Sequence, residues 1–139
     1  MARAAPGGIV AAYVWDYAEG MQMLRAFWDV ACELDPAAAH LNEGHRFSFA
    51  NAEALSELWT ASGLTDVQTT ALMVPTVFED FDDFWSPFLG GQGPAPGYVA
   101  TLTETAREEL RAALASRLPT DVDGTIALMA RAWAVRGRA

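Results

Sequence analysis

Lysine is absent from these 139 residues, and cysteine occurs once, at Cys32. Without lysine no Schiff base can form on a side-chain amine. A single cysteine excludes an internal disulfide and any zinc or iron–sulfur site built from cysteine clusters. The 9 cations are all arginines, and against 18 acidic residues they leave a formal net charge of -9. That balance repels nucleic acid and anionic lipid, and no basic run offers a local exception. Long apolar runs are missing too: Ile9–Trp15 is the longest, far short of the ~20 residues that span a bilayer. Met1-Ala-Arg ahead of that run imitates a secretion signal. Asp16 and Glu19 follow at once, however, with no convincing small-residue cleavage site, so a cytoplasmic location is expected. What the chain does have is apolar mass, 52% hydrophobic against 19% charged. Disorder is therefore excluded, and a single domain over residues 1–139 with a modest core is expected.

Pro6-Gly7-Gly8 reads as a turn, and Ile9-Val10-Ala11-Ala12-Tyr13-Val14-Trp15 is β-branched and aromatic without alternation. Such a run predicts a strand covered on both faces, as in a parallel α/β sheet. From Met21 to Leu34 the period is helical, with Met23, Phe27, Val30 (or Ala31) and Leu34 on one face, Trp28 beside it and Asp35-Pro36 as the stop. Residues 40–48 read as loop. Asn51 is placed to cap the next helix by accepting from Glu53 or Ala54. Leu55, Leu58, Trp59 and Ser62 follow, and Gly63 supplies a left-handed end. Residues 67–77 read as a strand in which Pro75 suggests an edge or a bulge. Asp80 caps a short helix carrying Phe81, Phe84, Trp85 and Phe88. Residues 90–97 form a Gly/Pro breaker. Thr103 (or Thr101, in a capping box with Glu104) opens a helix through about Leu118, with Leu110, Ala113, Leu114 and Arg117 as its stripe. The alternation of residues 125–135 predicts a last strand. The order is β-α-α-β-α-α-β.

No side-chain constellation marks a reaction. Gly91-Gln92-Gly93 fails the G-x-G-x-x-G pattern at Pro96, follows a helix, and loses donors at Pro94 and Pro96, so the segment reads as a bending loop. Glu79, Asp80, Asp82 and Asp83 read as a helix N-terminus whose dipole favours carboxylates, not as a metal site. His40, Glu43 and His45 match no ligand spacing. Cys32 reads as a small packing residue, and no G-x-S-x-G elbow occurs. Aromatics are in excess instead. Trp15-Asp16-Tyr17 stands at the C-terminal end of the first strand, where open α/β sheets take ligands. Phe27-Trp28 and residues 81–88 can lie over it as apolar walls.

The segment Arg3-Ala-Ala-Pro6-Gly7-Gly8-Ile9-Val10-Ala11-Ala12-Tyr13-Val14-Trp15-Asp16 resembles the fifth strand of class I S-adenosylmethionine-dependent methyltransferases, with the Pro-Gly-Gly turn that precedes it. Asn51 to Gly63, then Leu64-Thr65-Asp66-Val67, resembles the helix, turn and sixth strand of that class. Val74-Pro75-Thr76-Val77-Phe78, then Phe81 to Phe88, Gly90–Gly97 and Tyr98-Val99-Ala100, is similar to the lid and sixth-strand region of a bacterial, type 11-like subgroup. Ala130-Arg131-Ala132-Trp133-Ala134-Val135-Arg136 resembles the closing seventh strand. The family's cofactor-binding half, with its G-x-G-x-G loop after strand one and its acidic ribose ligand after strand two, has no counterpart here.

The resemblance implies the C-terminal, substrate-side half of that fold, from a truncated gene or a separately encoded fragment. The expected architecture is α/β: a partial Rossmann-like fold with a three-stranded, mostly antiparallel sheet in the family order five–seven–six and four helices. S-adenosylmethionine is implied as cofactor by the resemblance only, and the isolated chain is expected to bind none and to turn over little or nothing. The implied chemistry is methyl transfer to a small organic acceptor, in which the cofactor supplies the electrophile and the protein orients the acceptor and excludes water. Trp15, Tyr17, Phe27, Trp28, Phe84 and Trp85 are expected as substrate walls, with Asp16 or His45 as polar contacts; no catalytic base is assigned. Loss of the neighbouring strand would leave Ile9–Trp15 as an apolar edge. A homodimer or docking onto a separately encoded N-terminal half is expected there. The rival from another class is a non-enzymatic module that binds an apolar ligand or a protein through the same aromatic surface. A folded relic is a third reading.

Overall fold

In a computed structural model, which describes residues 4–139, the elements run β1 (Ile9–Trp15), α1 (Gln22–Leu34), a 3-10 segment (Pro36–Leu41), α2 (Glu43–Arg46), α3 (Ala52–Ala61) and β2 (Thr65–Phe78). There follow α4 (Phe81–Trp85), a second 3-10 segment (Ser86–Leu89), α5 (Pro94–Thr101), α6 (Glu104–Arg117) and β3 (Ile126–Arg138). The signal-like start at Met1–Arg3 lies outside the described residues. The three strands form one sheet in the order β1-β3-β2, and both pairings are antiparallel. β1 and β2 therefore point the same way on either side of a reversed central strand. This is the expected α/β class with an antiparallel three-stranded sheet.

Local chemistry accounts for most boundaries. Asn51 accepts from the Ala54 N–H at 2.9 Å, Asp80 from the Asp83 N–H at 2.9 Å, and Thr103 from the Ala106 N–H at 3.3 Å. Each satisfies a helix-end donor that has no partner inside the helix. Gly63, at φ +85°, ends α3. Three of the expected elements need correction. Residues 40–48 are not loop throughout: Asp35 caps the 3-10 segment by accepting from the Ala37 N–H, and Asn42 caps α2 by accepting from the Gly44 N–H. Residues 90–97 do not remain a loop either, because Pro94 sits in the first turn of α5, where its missing donor costs nothing and its fixed φ suits the helix. The helix count thereby rises from four to six α-helices among the described residues. Leu34, expected on the buried stripe of α1, lies at its last turn and is 44% exposed.

The third correction concerns β1. Its residues are exposed or half-buried along the whole strand, with Ile9 at 63% and Tyr13 at 71% exposure. A strand reads as continuously apolar when both of its faces are covered; here β1 lies at an edge, and the helices gather at the other end of β3. There Ile126, Leu128, Ala130 and Ala132 alternate onto one face and are buried. Ile126 and Leu128 join a cluster made of Phe27, Trp28 and Val30 from α1, Phe78 from β2, Phe84 and Trp85 from α4, and Leu110 and Leu114 from α6. Val135, of opposite parity, is buried on the other face, the side on which Leu64 after α3 closes over Gly137.

Phe27 is the centre of the aromatic packing. It is fully buried, stacks on Phe88 with ring centroids 4.5 Å apart, and meets Trp28 edge-on at 5.0 Å. Tyr98 closes the cluster from α5 and donates its hydroxyl to Asp35 Oδ2 at 3.2 Å. Burial of that phenol, reinforced by the Asp35 charge, pushes it up to about 12.

Replacing Phe27 by Ala removes a fully buried ring from this cluster, and a cost of about 3–5 kcal/mol is expected in urea denaturation. Tyr98 has a folded-state pKa raised above its ordinary 10.0. Its contribution is therefore complete below that value and is lost as the pH climbs toward about 12. Tyr98→Phe is expected to flatten the alkaline arm of the stability profile in that window, measured by denaturation at fixed pH steps.

Candidate functional site

β1 ends in Trp15 and passes directly into a tight turn at Asp16–Gly20. The Asp16 carbonyl accepts from the Gly20 and Met21 N–H groups, at 2.9 and 3.0 Å. The Gly20 carbonyl in turn accepts from the Arg131 N–H of β3 at 2.9 Å. A side chain at position 20 has no room: its Cβ would fall 2.5 Å from Arg131 Cβ and 2.9 Å from Asp16 Cβ. Glycine is thus required by the approach of the turn to β3.

This turn buries the Asp16 carboxylate, at 3% residue exposure. Oδ1 accepts from the Glu19 N–H at 3.0 Å. Oδ2 accepts from Arg131 Nε at 2.8 Å and from the Trp133 indole N–H at 3.1 Å, and Arg131 Nη2 approaches it at 2.6 Å. Burial opposes ionisation of Asp16. The Glu19 N–H, the Arg131 guanidinium and the Trp133 N–H outweigh it, and the carboxyl is held below its ordinary value. Arg131 also reaches Glu19 at 3.3 Å and lies over the Trp133 ring, 5.2 Å from its centroid. In front of the pair is an open cleft of about 410 Å³, lined by Asp16, Glu19, Ser48, Asn51, Arg131 and Trp133 among others.

The expected site residues fall into two groups. Phe27, Trp28, Phe84 and Trp85 come together, but inside the core, at 0–5% exposure. Trp28 is tied to α2 through its indole N–H, which donates to the buried Glu43 carboxylate. Trp15, Asp16 and Tyr17 stand at the cleft end of β1, where Tyr17 packs on Phe47 with centroids 5.3 Å apart. Asp16 lines the cleft itself. His45 is exposed on α2, with Nδ1 3.3 Å from the Ala39 carbonyl oxygen. Among the described residues no group of three His, Cys, Asp or Glu side chains is gathered to hold a metal. The acidic run before α4 is engaged in capping: Asp83 accepts from the Glu79 N–H at 3.1 Å, and Asp82 pairs with Arg111.

Arg131, Trp133 and Glu19 complete the Asp16 site and were not singled out in the sequence. One signal was available. Arg131 is the only charge in the apolar stretch Ile126–Val135, and a cation in the middle of a central strand needs a buried partner. Both oxygens of the Asp16 carboxylate are occupied by donors, which favour its ionised form.

The glycine-rich segment lies between the 3-10 segment and α5, not after a strand, and Asp16, the acidic residue at a strand end, is consumed by Arg131 and Trp133. Among the described residues no helix is long and apolar enough to cross a membrane. No family model and no curated protein matches the chain.

Removing the Asp16 charge leaves Arg131 without its buried partner, and Asp16→Asn is expected to cost about 3 kcal/mol. The folded-state pKa of Asp16 is depressed. Its stabilisation is therefore present above the unfolded carboxyl value near 3.8 and is lost as the pH falls below it. The wild-type chain should lose this increment during acid titration followed by circular dichroism, and Asp16→Asn should show a shallower acid arm.

Proposed function

We propose that the chain is the acceptor-side portion of a class I S-adenosylmethionine-dependent methyltransferase fold, contributing the surface on which a small organic methyl acceptor is held. The strand order carries the proposal. Two strands of like direction flank a reversed one, β1-β3-β2, which corresponds to the order five–seven–six implied by the Pro-Gly-Gly turn and the segments that follow it. The cleft lies at the carboxyl end of β1, where ligands enter open α/β sheets. In this role Asp16 and Arg131 fix the turn that shapes the cleft, and the Phe27 and Phe84 cluster makes its support rigid. The cofactor site belongs to a segment other than the residues described.

A non-enzymatic interaction module is the second reading, favoured by one observation: β1 has a strand on one side only, and its exposed residues carry no charge. Calorimetric titration of the purified chain with S-adenosylmethionine and with its demethylated product is expected to give no binding, and the chain alone no methylation. Micromolar binding would overturn the assignment of the cofactor site to another segment. Co-expression with a segment bearing a glycine loop after a strand separates the two readings. Cofactor binding by the pair is expected; a stable complex without it would leave the interaction module.

A further inference from the structure

We propose that β1 pairs with the β1 of a second copy of this chain, antiparallel and centred on Ala12, to make one continuous six-stranded sheet. The hydrogen-bonding parity of the strand sets this register. The Asp16 N–H donates to the Arg131 carbonyl at 3.0 Å, and the Gly8 carbonyl accepts from the Ala139 N–H at 2.9 Å. In the β1–β3 register, where Ile9 opposes Arg138 and Trp15 opposes Ala132, Gly8, Val10, Ala12, Val14 and Asp16 thus turn their main-chain groups toward β3. Ile9, Ala11, Tyr13 and Trp15 turn theirs to the open edge. A two-fold axis at Ala12 sets Ile9 against Trp15 of the partner and Ala11 against Tyr13 of the partner. All four are edge-facing residues, so each pair can exchange both of its main-chain bonds. Val10 then opposes Val14 of the partner, and Ala12 opposes its own copy.

Side-chain size and charge favour the same register. Tyr13, 71% exposed, has no cover of its own. Next to it, a shallow groove of about 550 Å³ crosses the sheet over Ala11, Thr70 and Ala134. Self-pairing sets the large Tyr13 beside the small Ala11 and beta-branched Ile9 beside aromatic Trp15, the kind of cross-strand pair that stabilises sheets. Ile9–Trp15 holds neither charge nor proline, the devices that usually keep an edge from pairing. The two ends of the strand differ in sign. At the Ile9 end Arg136 and Arg138 stand across from Ala11 and Ile9, and Asp66 offsets only Arg138, whereas at the Trp15 end Asp16 and Glu19 share the single cation Arg131. An antiparallel pair brings the basic end of one copy to the acidic end of the other, which offsets part of the repulsion between two chains of net charge -9.

The inference does not depend on methyl transfer: the dimer takes the open edge of β1 in the chain alone, the same edge that a separate cofactor-bearing segment would otherwise fill, so it is tested without that segment. Sedimentation of the purified chain at tens of micromolar is expected to give a dimer; a monomer would overturn the proposal. Ala11→Pro removes an edge-facing N–H that β3 does not use, and is expected to weaken the dimer about tenfold or more while circular dichroism stays unchanged. Register is tested by oxidation in a Cys32→Ala background. Ala12→Cys is expected to cross-link the dimer, since paired Cα atoms there fall within the roughly 4.4–6.8 Å that a disulfide spans. Ile9→Cys, displaced about 20 Å from its own copy, is expected not to. Equal cross-linking at both positions, or at neither, would overturn the register and with it the Ala12-centred interface.

Discussion

Each pairing in the sheet has β3 as one member, so β1 and β2 never pair with each other. The register of that central strand consequently fixes everything around it. With Ile126 opposite Phe78 and Ala132 opposite both Trp15 and Leu72, the buried face of β3 meets the aromatic helices. A slip of one residue would turn Ile126 and Leu128 to the other face and draw Arg131 away from Asp16. The buried ion pair thus acts as a register pin. It is placed at the point where β1 leaves the sheet, and Gln22 adds a second fastening by accepting from the Met129 N–H at 2.7 Å.

The elements that could be read from sequence are those whose cause is local. Asn51, Asp80 and Thr103 cap their helices through contacts three residues long, and Pro75 sits on an edge strand because its neighbours on one side make no ladder. Elements whose cause lies elsewhere in the chain were harder. Val10 and Val14 look like buried strand residues until the sheet is known to end at β1. Pro94 looks like a breaker until α5 is seen to start on it, with Gly93 at φ +93° marking the boundary. Asp16 and Arg131 are 115 residues apart, so neither announced the other.

The aromatic residues show the same division. Their abundance marked a surface of consequence, yet periodicity cannot separate a wall from a core. Phe27, Trp28, Phe84 and Trp85 settle into the interior because α1, α4, α5 and the second 3-10 segment interlock their rings at one end of the sheet, with Leu110 and Leu114 of α6 in the same cluster. Asp16 is left to shape the cleft, with a few polar neighbours. The cleft is thus lined mainly by polar side chains, Asp16, Glu19, Ser48, Asn51 and Arg131 among them, while the rings supply the core.

The pairing of Ile9 with Arg138 also bears on how the chain folds. The central strand is the last of the three to be synthesised, so neither β1 nor β2 has a neighbour until β3 has been made. Loop closure over that span must precede the stabilising contacts, a topology that slows folding. During the wait, the rings of α1, α4 and α5 can gather into a loose cluster while the two waiting strands remain open to other chains. Such intermediates are sensitive to concentration, and the yield of native protein is set by how soon β3 arrives between its two neighbours.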